Sequence, residues 1–208
     1  VTVNQTYIPN WGVYITTPNI SSKSAVIHIR TAIHAPHLAG LKLQTQLTNQ
    51  AGKVVASHVS AITDTIVNQE LAVANPQLWS VNRPYLYKVT LKVINAKGRA
   101  LDNYSTSTGI RYFNFDADKG FSLNGHALKI LGVCMHHDEG ALGAAVNTRA
   151  IERQLQILKA MGCNAIRTSH NPSAPELLNL CDKMGFLVMD EAFDMWAKKK
   201  SKFDYHQD

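Results

Sequence analysis

Apolar and polar residues alternate through the first half of the chain, and clusters of turn-forming residues separate the alternating runs. The clearest run covers residues 85–94 (YLYKVTLKVI) and ends at the turn Asn95-Ala96-Lys97-Gly98. A period of two is the repeat of a β-strand that buries one face. Similar runs lie at residues 25–32, 41–47, 53–59, 65–73 and 101–110. This spacing predicts an antiparallel β-sandwich over residues 18–112, in architecture only, because the Cys…Trp…Cys pattern of antibody domains is missing.

Residues 1–17 are predicted to be a linker from an upstream domain. Within them, residues 11–17 (WGVYITT) are β-prone, and we expect this run to stop at Pro18-Asn19, because proline has no amide proton to donate to a neighbouring strand. Since the chain begins with Val1, we expect it to be a processed chain or a piece of a longer protein.

The repeat changes near residue 113. Asn124-Gly125 predicts a hairpin between residues 115–123 and 127–131. A helical stripe follows at Ile151, Leu155, Leu158 and Met161, with Thr148 as the expected N-cap. Pro172 and Pro175 then open a second helix, which Gly185 closes. Together with apolar strands at 129–134, 164–166 and 186–189, this order is β-α-β-α-β, which predicts parallel strands with helical crossovers over residues 113–208.

Polar residues follow each of these three apolar strands. The clusters are His136-His137-Asp138-Glu139, then residues 167–171, then Asp190-Glu191 with Asp194. Parallel strands end at one edge of a sheet, so we expect the clusters to meet there. A cleft that contains histidine, arginine and carboxylate side chains can bind a hydroxyl-rich or anionic ligand. It can also provide general acid–base catalysis or bind a metal ion. Against the metal, adjacent His136 and His137 in an extended segment would point in opposite directions.

The second of these clusters begins a longer motif. Its residues are Asn164, Arg167, Ser169, His170, Pro172, Asp182 and Gly185, followed by four apolar residues. The motif resembles the first signature of glycoside hydrolase family 2, which includes β-galactosidases, β-glucuronidases and β-mannosidases. One departure is Asn171, where many members carry Tyr; Asn171 is kept as a candidate substrate-binding residue. The resemblance covers nearly the whole chain and is strongest over residues 109–196. It implies an antiparallel immunoglobulin-like β-sandwich followed by the first three βα units of a (β/α)8 TIM barrel.

The resemblance also implies roles for single residues. His136 and His170 match family residues that contact sugar hydroxyls, and Arg167 matches an arginine that orients the catalytic nucleophile. Asp190 and Glu191 match carboxylates that end the third barrel strand, and we include both among the substrate-binding candidates. The position that matches a magnesium-binding glutamate of some β-galactosidases is Met195, so no metal and no cofactor is expected.

Retaining members of the family use two glutamates, one of which follows an asparagine. The sequence contains no Asn-Glu dipeptide. We therefore expect an internal piece of the enzyme with an incomplete barrel and no catalytic glutamate. The parent is expected to be a retaining exo-β-glycosidase of the β-galactosidase kind, and the isolated chain is expected to be inactive. Its open barrel edge should pair with another copy, giving a homo-oligomer, or leave the chain marginally stable.

The resemblance implies a carbohydrate partner, and composition gives no sign of a nucleic-acid or membrane partner. The net charge of +6 is that of an ordinary basic surface, and the one dense cluster, Lys198–Lys200 with Lys202, is expected to be a solvated loop, so no nucleic acid is predicted. No apolar run is long enough to cross a membrane. The three cysteines show no zinc spacing and are expected to be structural thiols. No cellular compartment is predicted.

Two other functions remain open from the residues alone. The first is a non-catalytic module that uses the sandwich to bind carbohydrate or protein. The second is a metal-dependent hydrolase built on the 136–139 cluster.

Overall fold

The computed structural model describes residues 4–21 and 23–195 of the chain. They form two compact units. The first contains the residues up to Ser80 with Tyr85–Phe115 and Ser122–His126; the second contains Val81–Pro84, Asp116–Phe121 and the residues from Ala127 onward. The lysine cluster at 198–200 and 202 lies outside the described residues.

Seven strands build two sheets in the first unit. They are β1 (Val13–Ile20), β2 (Ser24–Ala32), β3 (Lys42–Thr48), β4 (Val54–Ala61), β5 (Ile66–Ala74), β6 (Tyr87–Ile94) and β7 (Ala100–Thr108). One sheet has the order β1-β2-β5 and the other the order β4-β3-β6-β7. All pairings in both sheets are antiparallel. The alternating runs of the sequence are thus confirmed as strands, to within two residues at their ends.

Both sheets contribute to one apolar core. Ile27 and Ile29 of β2 are almost fully buried, as are Leu43 of β3 and Val89 and Leu91 of β6. Their neighbours along each strand are more exposed, which is the burial pattern of strands with one face inward. The unit is therefore a β-sandwich.

The first strand corrects the sequence prediction. The β-prone run does not stop at Pro18-Asn19; β1 continues to Ile20 and covers residues 13–17 of the predicted linker. The pairing of β1 with β2 shifts register between Thr16 and Asn19. Such an irregularity in an edge strand is where a proline can be placed without breaking a ladder hydrogen bond, which explains the wrong boundary.

A buried glutamine links the two sheets of the sandwich. Gln69 of β5 is 3% exposed. Its side-chain nitrogen donates to the carbonyl oxygen of Leu43 at 3.0 Å and to the hydroxyl of Ser60 at 2.8 Å. Its side-chain oxygen accepts a hydrogen bond from the hydroxyl of Thr45. The amide therefore satisfies its polar groups inside an otherwise apolar core.

Three short strands follow the sandwich: β8 (Phe113–Asp116), β9 (Gly120–Leu123) and β10 (His126–Ala127). They form a sheet in the order β10-β9-β8. Asn124 and Gly125, between β9 and β10, have φ values of 53° and 80°. Two positive φ values are those of a type I′ turn, so the predicted turn is confirmed. Both predicted strands are shorter than expected: the second ends at Ala127, and the first is interrupted between β8 and β9, where the Asp116 side chain accepts hydrogen bonds from the amides of Asp118 and Lys119.

The second unit contains the β-α-β-α-β order that the sequence predicts. Its elements are β11 (Gly132–Met135), a 3-10 turn (Gly140–Leu142), α1 (Thr148–Ala160), β12 (Ala165–Thr168), α2 (Pro175–Met184) and β13 (Leu187–Met189). The three strands form a parallel sheet in the order β11-β12-β13. The helices pack on it through Ile151, Leu155 and Ile166 with Leu177 and Phe186, all buried.

The ends of α1 differ in two details from the prediction. Asn147, not Thr148, is the N-cap: its side-chain oxygen accepts a hydrogen bond from the amide of Ala150 at 3.0 Å. Met161 follows the last helical residue and is 70% exposed, so the predicted apolar stripe ends before it. Both residues lie within one position of a helix end, where sequence patterns fix boundaries poorly.

Lys159, near the end of α1, contacts two other segments of the second unit. The Lys159 ammonium donates to the carbonyl oxygens of Val81 and Gly185, each at 2.9 Å. It also lies 4.9 Å from the ring centroid of Phe186. Burial lowers the pKa of Lys159 from its ordinary value. The segment Val81–Pro84 is thus anchored to the ends of both helices.

Among the residues that the structure describes, no helix is both long and apolar enough to cross a membrane.

Candidate functional site

The three predicted polar clusters lie at one edge of the parallel sheet. In its register Cys134 pairs with Arg167, and Arg167 pairs with Met189. All three strands run in the same direction, so the residues that follow β11, β12 and β13 emerge side by side. Arg167 and His170 on the middle strand end are therefore next to Glu191 on the third.

Arg167, Glu191 and His170 form a continuous hydrogen-bonded network. Arg167 donates from Nε to Oε1 of Glu191 at 2.5 Å, and its Nη2 lies 2.5 Å from the same oxygen. The other carboxylate oxygen, Oε2, is 2.8 Å from Nδ1 of His170. Partial desolvation alone would raise the pKa of Glu191, but the hydrogen bonds from His170 and Arg167 outweigh it and lower that pKa. Glu191 is therefore a carboxylate at neutral pH.

Cys134 is a neighbour of this network that the sequence did not reveal. It was expected to be a structural thiol, but its side chain is exposed. Arg167 donates from Nη1 to its sulfur at 3.4 Å. Hydrogen bonding to Arg167 lowers the pKa of Cys134, and the same contact, with that to Glu191, raises the pKa of Arg167. Cys181, by contrast, is buried in the helix layer as predicted.

The two adjacent histidines diverge, as expected for an extended segment. The ring of His136 stands edge-on to the ring of His170, with centroids 5.7 Å apart. His137 instead places Nε2 at 3.0 Å from the carbonyl oxygen of Ala144. Within the described ranges, no group of three or more His, Cys, Asp or Glu side chains is arranged to hold a metal ion.

Asp190 is held by a neighbouring strand. The hydroxyl of Thr168 donates to Asp190 Oδ1 at 2.9 Å and accepts from the backbone amide of Glu191, also at 2.9 Å. Thr168 is 4% exposed, so this connection is internal to the site. Asn171 is exposed and follows the Ser169–His170 peptide bond, which is cis. The candidates thus share one edge, but only Arg167, His170 and Glu191 bond to one another directly.

Asn164, the first residue of the motif, makes hydrogen bonds to the backbone of the segment before β11. Its side chain accepts from the amide of Leu131 at 2.9 Å and donates to the carbonyl oxygen of Lys129 at 2.9 Å. It therefore aligns the segment that enters β11 beside the start of β12. The sequence marked Asn164 as part of a motif, but local pattern gave no reason to expect a partner 33 residues away.

A small cavity lies at the strand ends. It offers about 20 Å³ and is lined by residues that include His136, His137, Gln154 and Asn171. This is room for about one or two water molecules. A second, wider cavity of about 580 Å³ is lined by residues that include Cys134, His136 and Gln154, so His136 borders both cavities.

Comparison with known families agrees with this arrangement. The sequence model of Glycosyl hydrolases family 2 matches residues 6–111, and that of the family's TIM barrel domain matches residues 117–204. The chain belongs to glycoside hydrolase family 2. It comprises the family's sandwich domain and the start of its TIM-barrel domain.

Relatives of this family 2 chain carry two kinds of name. It is 50% identical to Beta-galactosidase BoGH2A of Bacteroides ovatus over 206 residues, which are 96% of this chain and 24% of that protein. It is 38% identical to a putative beta-glucuronidase of Formosa agariphila, over 96% of this chain and 19% of that protein. A crystal structure of a family 2 member from Bacteroides cellulosilyticus superposes with a TM-score of 0.90 at 38% identity, covering 98% of this chain and 27% of that one.

The chain spans about a quarter of the length of these relatives.

Proposed function

We propose that the full-length protein is a retaining exo-β-glycosidase that removes terminal non-reducing sugars, with β-galactosides as its substrates. The network of Arg167, Glu191 and His170 at one edge of the parallel sheet carries this proposal. It presents the guanidinium of Arg167 and the imidazole of His170 next to the exposed side chain of His136. Together these groups can bind several hydroxyl groups of one sugar. The choice of galactoside follows the name of the relative that is 50% identical.

Within that enzyme, this chain supplies part of the sugar pocket. His136, His170 and Asn171 contact sugar hydroxyls, and Asp190 and Glu191 complete the same wall. Arg167 supports the nucleophile. We place the acid/base and nucleophile glutamates outside these 208 residues, because no Asn-Glu dipeptide occurs among them. A retaining mechanism needs that pair about 5–5.5 Å apart, with the arginine close to the nucleophile.

The domain plan follows from the same proposal. The immunoglobulin-like sandwich, expected over residues 18–112, begins five residues earlier, at the first residue of β1, Val13, and ends at residue 112. Residues 113–208 form the first three βα units of the barrel, and the segment before the first strand is the linker from an upstream domain. The remaining barrel strands would then cover the open side of the site.

The test is hydrolysis of nitrophenyl glycosides by the full-length protein, with the β-galactoside, β-glucuronide and β-mannoside compared. We expect the largest kcat/KM for the galactoside and no turnover by the isolated 208-residue chain. Larger kcat/KM for the glucuronide would reassign the sugar. Robust turnover by the isolated chain would show that the catalytic carboxylates lie within it, and galactose binding without turnover by the full-length protein would identify a binding module.

His170 is the residue to change in this assay. His170→Ala in the full-length protein should lower kcat/KM by about 10²-fold or more, because a hydrogen-bonding site left without its partner loses several kcal/mol of transition-state binding. His137→Ala is the matched control, since His137 bonds to a loop carbonyl and not to the network. Wild-type kcat/KM in His170→Ala would remove His170 from the site.

A further inference from the structure

The carboxylate of Glu191 makes the shortest contacts within the network, whereas Arg167 and His170 approach each other only to 3.3 Å. Its Oε1 faces Nε and Nη2 of Arg167, both at 2.5 Å, and its Oε2 lies 2.8 Å from Nδ1 of His170. The side chain of Glu191 is 21% exposed, compared with 39% for each of its two partners. Glu191 therefore stands behind Arg167 and His170, with both of its oxygens engaged by them.

The three contacts decide where His170 carries its proton. A guanidinium only donates hydrogen bonds and an ionised carboxylate only accepts them. Nδ1 of His170 is 2.8 Å from the carboxylate oxygen and 3.3 Å from Nη2 of Arg167. A bare lone pair on Nδ1 would face the carboxylate at the shorter distance and be repelled. Nδ1 therefore bears the hydrogen, and in the neutral ring Nε2, on the opposite edge, is a hydrogen-bond acceptor.

The backbone around Glu191 is fixed as well. Its amide donates to the hydroxyl of Thr168 at 2.9 Å, and that hydroxyl donates to Asp190. Thr168 belongs to β12, the strand that also carries Arg167. The carboxylate is thus held by the strand whose side chains it orients, which is how a supporting residue keeps a binding group in a single geometry.

We propose that Glu191 is a positioning residue: its two oxygens fix Arg167 and His170 together and hold His170 as the Nδ1–H tautomer, with Nε2 presented as an acceptor to a substrate hydroxyl. The part that concerns catalysis rests on the proposed glycosidase function. The part that concerns the tautomer does not, because it follows from the contacts alone.

Glu191→Gln removes the negative charge and changes the hydrogen-bonding of one oxygen position without changing the size of the side chain. The amide oxygen can still accept from Arg167, but the amide NH2 then faces Nδ1 of His170 and donates to it. His170 should therefore switch to the Nε2–H tautomer and present a donor where the wild type presents an acceptor. Neutron diffraction from deuterated crystals of the full-length protein shows the deuteron directly. We expect it on Nδ1 in the wild type and on Nε2 in Glu191→Gln.

Kinetics of the same variant test the positioning role. Because the hydroxyl and the nucleophile lose correctly oriented partners, we expect kcat/KM to fall about 10- to 100-fold, the loss typical of residues that orient a binding group from behind. The fall should be mainly in kcat. Glu152→Gln, which alters a surface carboxylate paired with Arg149, is the matched control and should leave both constants unchanged.

The outcomes distinguish the two proposals. A deuteron on Nε2 in the wild type overturns the tautomer and with it the role of Glu191, whatever the activity. A deuteron on Nδ1 with wild-type kcat/KM in Glu191→Gln overturns the catalytic positioning role. If the full-length protein hydrolyses no glycoside, the proposed function fails while the diffraction result still decides the tautomer. If Glu191→Gln does not fold, the wild-type deuteron position decides it.

Discussion

Arg167 donates a hydrogen bond from Nη1 to the sulfur of Cys134, 3.4 Å away, across the parallel pair β11–β12. A guanidinium beside a thiol favours the thiolate, and the pKa of Cys134 is lowered accordingly. Cys181 has the opposite environment, because burial raises its pKa to about 12. Two cysteines of one small unit thus differ in both exposure and acidity.

We expect iodoacetamide to alkylate Cys134 well before Cys181 in the native protein. A lowered pKa means that the thiolate fraction of Cys134 appears at lower pH, so its alkylation rate should rise at a lower pH than that of an ordinary cysteine. Mass spectrometry of peptides after timed labelling measures both rates. Arg167→Gln removes the charge and should move the rise for Cys134 to higher pH; an unchanged profile would mean that the Arg167 contact does not control the thiol.

Gly185 tests the close approach of Val81 to the end of α2. It has φ = 75°, and a β-carbon built there would collide with the carbonyl oxygen of Val81. Gly185→Ala should therefore lower the free energy of unfolding by about 2–4 kcal/mol, the sum of left-handed strain and the clash. Gly162→Ala is the control: its φ is 90°, but nothing lies within 4 Å, so only about 1 kcal/mol is expected. Denaturant unfolding compares the two, and equal losses would contradict the clash.

Lys159 should contribute to stability through its two carbonyl partners. Lys159→Met keeps most of the side-chain length but leaves the carbonyl oxygens of Val81 and Gly185 without their donor, so we expect a loss of about 1–3 kcal/mol. Lys183→Met, at an exposed position near the end of α2, should change stability by less than about 0.5 kcal/mol. Thermal unfolding of both variants checks this, and a neutral Lys159→Met would show that water replaces the ammonium at no cost.

Gln69 should be intolerant of an apolar replacement despite its apolar surroundings. Gln69→Leu leaves the hydroxyl of Thr45 and the carbonyl oxygen of Leu43 without partners inside the sandwich, which should cost about 1–3 kcal/mol. Asn68→Ala on the same strand faces solvent and should be near neutral. Urea unfolding followed by circular dichroism measures the difference. A stabilised Gln69→Leu would show that the network costs more than it contributes.

Several details of the fold were beyond the reach of the sequence. Pro18 indicated the end of a strand, yet β1 passes through it, because the irregular pairing of an edge strand tolerates a missing donor. Asn147 and Thr148 are both good N-caps, and only the path of the preceding loop decides between them. In each case the local sequence is compatible with two element boundaries, and tertiary packing determines which one occurs.

The sequence by itself determined the periodicity of every main element, the family, and the fact that polar clusters follow three strands. Those features are local: a period of two or 3.6 and a motif within about 20 residues need no knowledge of distant contacts. Only the tertiary structure decided that Glu191 joins Arg167 to His170 and that Cys134 accepts a hydrogen bond from Arg167. Those partners lie 21, 24 and 33 residues apart, and parallel strand register, not local sequence, brings them together.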